Sequence, residues 1–216
     1  MMDSVIQQLI HFFSALMLLL NFSMLAQRRV LALIRLLALQ GLVLSMNIGC
    51  IAYASSLPEF YISLILTLVL KVWLIPFILH RLLIKLGMQG KIELIINLPS
   101  ILLIGLALVI FAFALSASFA QNRTNHLALA LASVLISSFM LIIKRKAISQ
   151  VISILALENS LFFVVSSSTY GMSLVVELGI AFDVLIGLFI FGIFFLRIRE
   201  NFESLDVKHL EQLREE

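Results

Sequence analysis

Long apolar stretches follow one another along this chain, separated by short polar or basic clusters. A helix needs about 20 apolar residues to cross a bilayer, and the pattern predicts seven such helices. The first covers residues 4–27 and is halted by Arg28 and Arg29. Its basic pair follows the apolar run and no small-residue cleavage site comes after it, so it reads as a retained helix and not a signal peptide. The second covers 30–55. Pro58 and Glu59 open the third, which ends between Arg81 and Lys85. A mixed loop, 87–96, precedes the fourth (97–120), where Pro99 occupies a first-turn position that needs no N–H. Residues 121–126 form a polar loop. The fifth helix, 127–143, stops at Lys144-Arg145-Lys146, the sixth covers 147–168, and a turn at 169–173 leads into the seventh, which ends at Leu196. The expected fold is an all-α polytopic membrane bundle.

Lysine and arginine positions orient it. Arg28, Arg29, Arg81, Lys85, Lys91, Lys144, Arg145, Lys146, Arg197, Arg199, Lys208 and Arg214 fall at one set of ends, and Arg123 alone at the other. The positive-inside rule then puts the N-terminus outside and the C-terminus in the cytoplasm. Composition agrees. Of 216 residues, 62% are hydrophobic and 12% charged, about half the usual charged share. That is too little polar surface for a soluble enzyme, a disordered chain or a nucleic-acid binder. The calculated isoelectric point of 9.2 reflects basic residues scattered between apolar runs, which make no nucleic-acid-binding face. The lone Cys50 allows no internal disulfide and suggests no thiol-ligated metal site.

Three ionisable residues lie near the middle of their spans: Lys71 in the third, Glu158 in the sixth and Asp183 in the seventh. Each costs about 2.5–3.5 kcal/mol at that depth on insertion scales, so all three must face the bundle, a partner or a water-filled path. An intramembrane charge reads first as part of a proton or ion path. A buried carboxyl without a partner tends to keep a proton and a buried amine tends to lose one, the behaviour a transfer site uses. The plainer reading has Lys71 fastening helices by pairing with Glu158 or Asp183. Glu177, a turn and a half before Asp183, is either the mouth of a path or a carboxylate reaching the headgroups. Arg35 is placed to snorkel to the cytoplasm. His11 and His80 fall at opposite depths, against paired haem ligation. Pro76 frees a carbonyl one turn earlier and predicts a kink beside Lys71. The phenylalanines of the seventh span (Phe182, Phe189, Phe191, Phe194 and Phe195) read as a lipid- or partner-facing surface. No phosphate loop, metal-ligand cluster or nucleophile–base pair occurs, so no catalytic residue, metal or cofactor is assigned.

Leu37-Ala38-Leu39-Gln40 matches Leu155-Ala156-Leu157-Glu158, with Arg28 and Lys146 twelve residues before the aligned Gln40 and Glu158. The match suggests a parallel repeat of three-helix units: residues 1–90, a linking fourth helix in 91–126, a second unit in 127–199, and a tail at 200–216. Chance remains a serious rival, since such strings are common in membrane helices. In the tail, Ser204 or Asp206 can cap a short helix whose apolar edge is Leu205, Leu210 and Leu213. That helix would lie along the cytoplasmic surface against a neighbouring subunit; a solvated, frayed end is the alternative.

The run Leu157-Glu158-Asn159-Ser160, the stretch Glu177-Leu178-Gly179-Ile180-Ala181-Phe182-Asp183, the tail Ser204 to Leu210 and the string Lys71-Val72 with Ile75-Pro76 resemble hydrogenase-4 component E, a membrane subunit of formate hydrogenlyase. The C-terminal half in turn resembles the small three-helix subunit of respiratory complex I and the C subunit of multisubunit sodium/proton antiporters. That resemblance implies a non-catalytic subunit of an energy-converting oxidoreductase in a bacterial or archaeal cytoplasmic membrane. It implies neighbours too: antiporter-like large membrane subunits, a quinone-side or hydrogenase-side membrane subunit and, indirectly, peripheral iron–sulfur or hydrogenase-like subunits. It implies that Glu158 and Asp183 belong to a hydrophilic path for protons or sodium, with Lys71 acting on a neighbouring acid by its charge. The alternatives are a subunit of a cation/proton antiporter lacking a redox arm, or a structural linker between antiporter-like subunits.

Overall fold

A computed structural model describes residues 2–55, 58–85, 97–119 and 125–169, together with Gly187 and Gly192. Among the described residues the fold is all-helical. Helix α1 (Met2–Ala26) and helix α2 (Val30–Ser55) are joined by a tight turn in which Gln27 Oε1 accepts from the backbone N–H groups of Arg28 and Arg29, at 3.0 and 3.4 Å. Next come α3 (Pro58–Thr67), a π-helical segment π1 (Leu68–Leu74) and α4 (Ile75–Lys85), which together form one continuous helix. The remaining helices are α5 (Leu98–Phe119), α6 (Asn125–Ile143) and α7 (Ala147–Thr169). Five apolar stretches are long enough to cross a membrane, in α1, α2, α3–π1–α4, α5 and α7, and α6 contributes a shorter one, Leu127–Ile143. An apolar bundle of this kind fits a multi-pass membrane protein. Asp183, Glu177, the phenylalanine-rich stretch and the tail lie outside the described residues.

Proline explains the irregular third helix. Pro76 has no N–H to give to the turn before it. Just before it the helix widens, and the Ile75 N–H bonds Leu70 O, five residues back. π-Helical turns within α-helices concentrate at functional positions, and this segment carries Lys71.

Helices α1, α2, α6 and α7 form the centre, drawing on both halves of the chain. The α1–α2 and α6–α7 connections lie side by side, because Lys144 Nζ donates to Met24 O and Gln27 O. This fixes one basic end of the bundle. Toward that end the helices pack around Met24, Leu33, Leu37, Leu79, Met140 and Ile152; toward the other they pack around Phe13, Met17, Leu44, Ile48 and Phe163. α5 covers α1 and α6, approaching α1 closely at Gly105, where a Cβ would come within 3.0 and 3.1 Å of Phe22 and Leu25 atoms, while most of its other residues are exposed.

Candidate functional site

Between the two apolar clusters lies a polar layer. In α1 it is reached at Asn21, in α2 at Gln40, in α6 at Ser137 and in α7 at residues 158–160, each with apolar core residues on both sides along its helix. Lys71 joins from π1. Its Nζ is 2.7 Å from Glu158 Oε1, and the two side chains are only 5% and 13% exposed. The ammonium also sits 4.9 Å from the centre of the Phe162 ring, one turn after Glu158. Beyond this pair, neither Lys71 Nζ nor Glu158 Oε1 has a hydrogen-bond partner among the described residues. Of the two acids considered for Lys71, the described structure brings Glu158 to it.

Glycine permits this approach. α2 passes π1 at Gly41, where an added Cβ would stand 3.2 Å from the carbonyl carbon, carbonyl oxygen and Cβ of Lys71. That is tighter than most Cβ contacts, so glycine eases the close approach of the two backbones. Gln40, next to Gly41, turns toward α7 and α1. Its Nε2 donates to Asn21 Oδ1 at 3.2 Å, Ala156 O at 3.3 Å and Ser160 Oγ at 3.5 Å. Asn159 Nδ2 donates to Gln40 Oε1 at 3.5 Å. Asn21 Nδ2 donates to Ser160 Oγ at 3.2 Å and to Met17 O at 3.2 Å. The Ser137 hydroxyl lies 2.8 Å from Asn21 Oδ1, 2.8 Å from Ser133 O and 3.1 Å from Ser160 Oγ. Gln40 and Glu158, aligned in the sequence match, lie in adjoining helices at one level, and the layer crosses the bundle from Lys71 to Ser137.

Sequence reasoning missed Asn21, Ser137, Asn159 and Ser160 as members of this layer. A serine in an apolar helix can satisfy itself on the carbonyl four residues back, as Ser133 and Ser153 do, so its presence alone signals little. The available clue was spacing, because each of these residues shares its level with Gln40 or Glu158. Lys144 stands at the basic stop after α6, as its sequence position indicates, but its burial was not legible there. It is fully buried, and its bonds of 2.9 and 3.0 Å to Met24 O and Gln27 O satisfy carbonyls at the end of α1. Burial lowers its pKa to about 8. Arg35 is exposed near the basic end, and His11 and His80 are exposed on separate helices. Cys50 is a free, half-buried thiol. Among the described residues no group of His, Cys, Asp and Glu is arranged to hold a metal.

Fold and site together define an all-helical bundle of membrane-length apolar helices with an ion pair inside it. Over 195 residues the chain is 30% identical to an uncharacterized protein of Mycobacterium tuberculosis, Rv0085, covering 88% of each sequence. It belongs to the same family as that mycobacterial protein. No family model matches the chain, and no solved structure matches it.

Proposed function

We propose that this protein is a non-catalytic membrane subunit of an energy-converting oxidoreductase of the complex I type, resembling hydrogenase-4 component E. It would contribute Glu158, Lys71, Asp183 and Glu177 to a proton or sodium path coupled to electron transfer. The observation that carries this reading is the buried Lys71–Glu158 pair, continued across the bundle by the Asn21–Gln40–Ser137–Ser160 layer. A charge pair costs much to place at this depth, whereas helix fastening alone is available from small residues and ordinary packing. The second reading, a linker in which the pair fastens π1 to α7, draws on the same 2.7 Å contact.

In this account the chain crosses a bacterial or archaeal cytoplasmic membrane seven times, N-terminus outside and C-terminus in the cytoplasm. Gly192 supports a seventh crossing. Residue 169 ends α7, which starts at the basic end, yet Gly192 is buried, and a Cβ added to it would stand 3.3 Å from Leu82 Cδ1, near the end of α4. The neighbours would be antiporter-like subunits and a quinone-side or hydrogenase-side membrane subunit, with iron–sulfur or hydrogenase-like subunits farther away. Purifying the native complex and measuring iron, nickel and subunit composition tests this. Iron–sulfur subunits in stoichiometric amount are the expected result. A preparation of antiporter-like subunits alone would move the protein to a cation/proton antiporter.

A further inference from the structure

The Lys71–Glu158 pair has a third neighbour. Phe162 stands one turn after Glu158 on α7 and is 6% exposed. The Lys71 ammonium lies 4.9 Å from the centre of its ring and 2.7 Å from Glu158 Oε1. A single helix thus presents one cation with a carboxylate and an aromatic face. An ammonium carries three N–H donors, and apart from Glu158 this one has no hydrogen-bond partner among the described residues. The ring face, which carries negative charge density, is the remaining group that attracts it.

Phe162 also belongs to the apolar cluster around Phe13, Met17 and Phe163. Packing explains its burial, and any large apolar side chain would serve for that. Packing does not explain why an ammonium lies against the ring. Other seats for the cation are taken. At this level α2 supplies Gln40 and Gly41, and α7 supplies Glu158, Asn159 and Phe162; Glu158 alone of these ionises. The Gln40 and Asn159 amides are spent on each other and on Asn21, Ala156 and Ser160. When Glu158 takes a proton, the ammonium loses its counter-charge at a depth where a bare charge is costly. Aromatic rings hold cations most strongly where water is excluded.

We propose that Phe162 is a positioning residue whose ring is the second seat of the Lys71 ammonium, holding that charge in place while Glu158 is protonated. The carboxylate then re-forms opposite a waiting cation. Only a proton moves, onto Glu158 and off again, and no bond between heavy atoms changes. The use of this seat in ion movement rests on the function proposed above; the seat itself does not.

Fluorinated phenylalanines at position 162 test it, because each ring fluorine draws electron density from the face and leaves the shape nearly unchanged. The full chain in detergent is compared without fluorine, with one and with three, in three backgrounds: wild type, Glu158→Gln, and Glu158→Gln combined with Lys71→Met. Glu158→Gln stands for the protonated acid, and the double variant removes the cation without leaving an unpaired charge. The unfolding temperature should fall with each fluorine in wild type. It should fall further in Glu158→Gln, by about 4 °C for three fluorines, and stay level in the double variant, where no cation faces the ring. Equal falls in all backgrounds would show packing alone and overturn the proposal, as would no fall in Glu158→Gln. Should Glu158→Gln fail to fold, an equal fluorine effect in wild type and the double variant would still overturn it. If ion pumping survives Glu158→Gln while the Lys71-dependent fluorine effect stands, the functional reading falls and the seat remains.

Discussion

Lys71 and Glu158 depend on each other. Removing one member of a buried pair leaves an uncompensated charge, which typically costs about 3–5 kcal/mol, whereas replacing both by apolar groups is often close to neutral. Lys71→Met and Glu158→Leu should therefore each lower the detergent-solubilised protein's unfolding temperature more than the double variant does. Additive losses would show that the 2.7 Å contact carries no coupling. Lys144 gives a second residue-scale prediction, with a sign set by linkage. Its pKa falls from 10.5 in the unfolded chain to about 8 in the fold. Below pH 8 both states hold the proton and the group adds no pH dependence. Between pH 8 and 10.5 the unfolded chain holds it and the folded protein does not, so stability rises with pH, by up to about 3 kcal/mol. Unfolding measured from pH 7 to 10.5 should show wild type gaining on Lys144→Met across that window. Parallel curves would contradict this.

The helices themselves were legible because apolar length and basic stops determine them. The boundaries expected from sequence lie within a few residues of those of the described helices, and α2 coincides with its expected range. The form of the third helix was not legible. Pro76 announces a disturbance, but whether the chain bends or widens depends on what packs beside it, and here that neighbour is Gly41. Gly41→Ala puts a methyl group 3.2 Å from the Lys71 backbone and should push π1 away from α2. The expected outcome is a loss of about 1–3 kcal/mol in stability, the usual cost of overpacking, with weakened coupling between Lys71 and Glu158 in the double-variant comparison. Gly49→Ala, in the same helix, meets only ordinary contacts with Leu64 at 3.6 and 4.0 Å and serves as the control. Unequal depth of meaning among side chains explains the rest. Lysine and glutamate in mid-span announce themselves because each is costly there. Asn21, Ser137 and Ser160 do not, since their significance lies in meeting one another across three helices.

The described helices pack into two apolar clusters separated by a polar layer, and the functional proposal rests on that layer. The hairpins α1–α2 and α6–α7 supply its centre, and π1 supplies its cation. Topology is directly measurable. Cysteine labelling in intact cells, in a Cys50→Ser background, should mark position 123 from outside and positions 28, 145 and 199 only after the membrane is opened; the reverse pattern would contradict the proposed orientation. Glu158 is proposed to take part in ion movement and not only in holding helices together. The most direct test is ion pumping by inverted membrane vesicles carrying Glu158→Gln, normalised to assembled complex and to electron-transfer rate. Loss of pumping per assembled complex is expected, whatever assembly loses from leaving Lys71 unpaired. Pumping per assembled complex equal to wild type would contradict it.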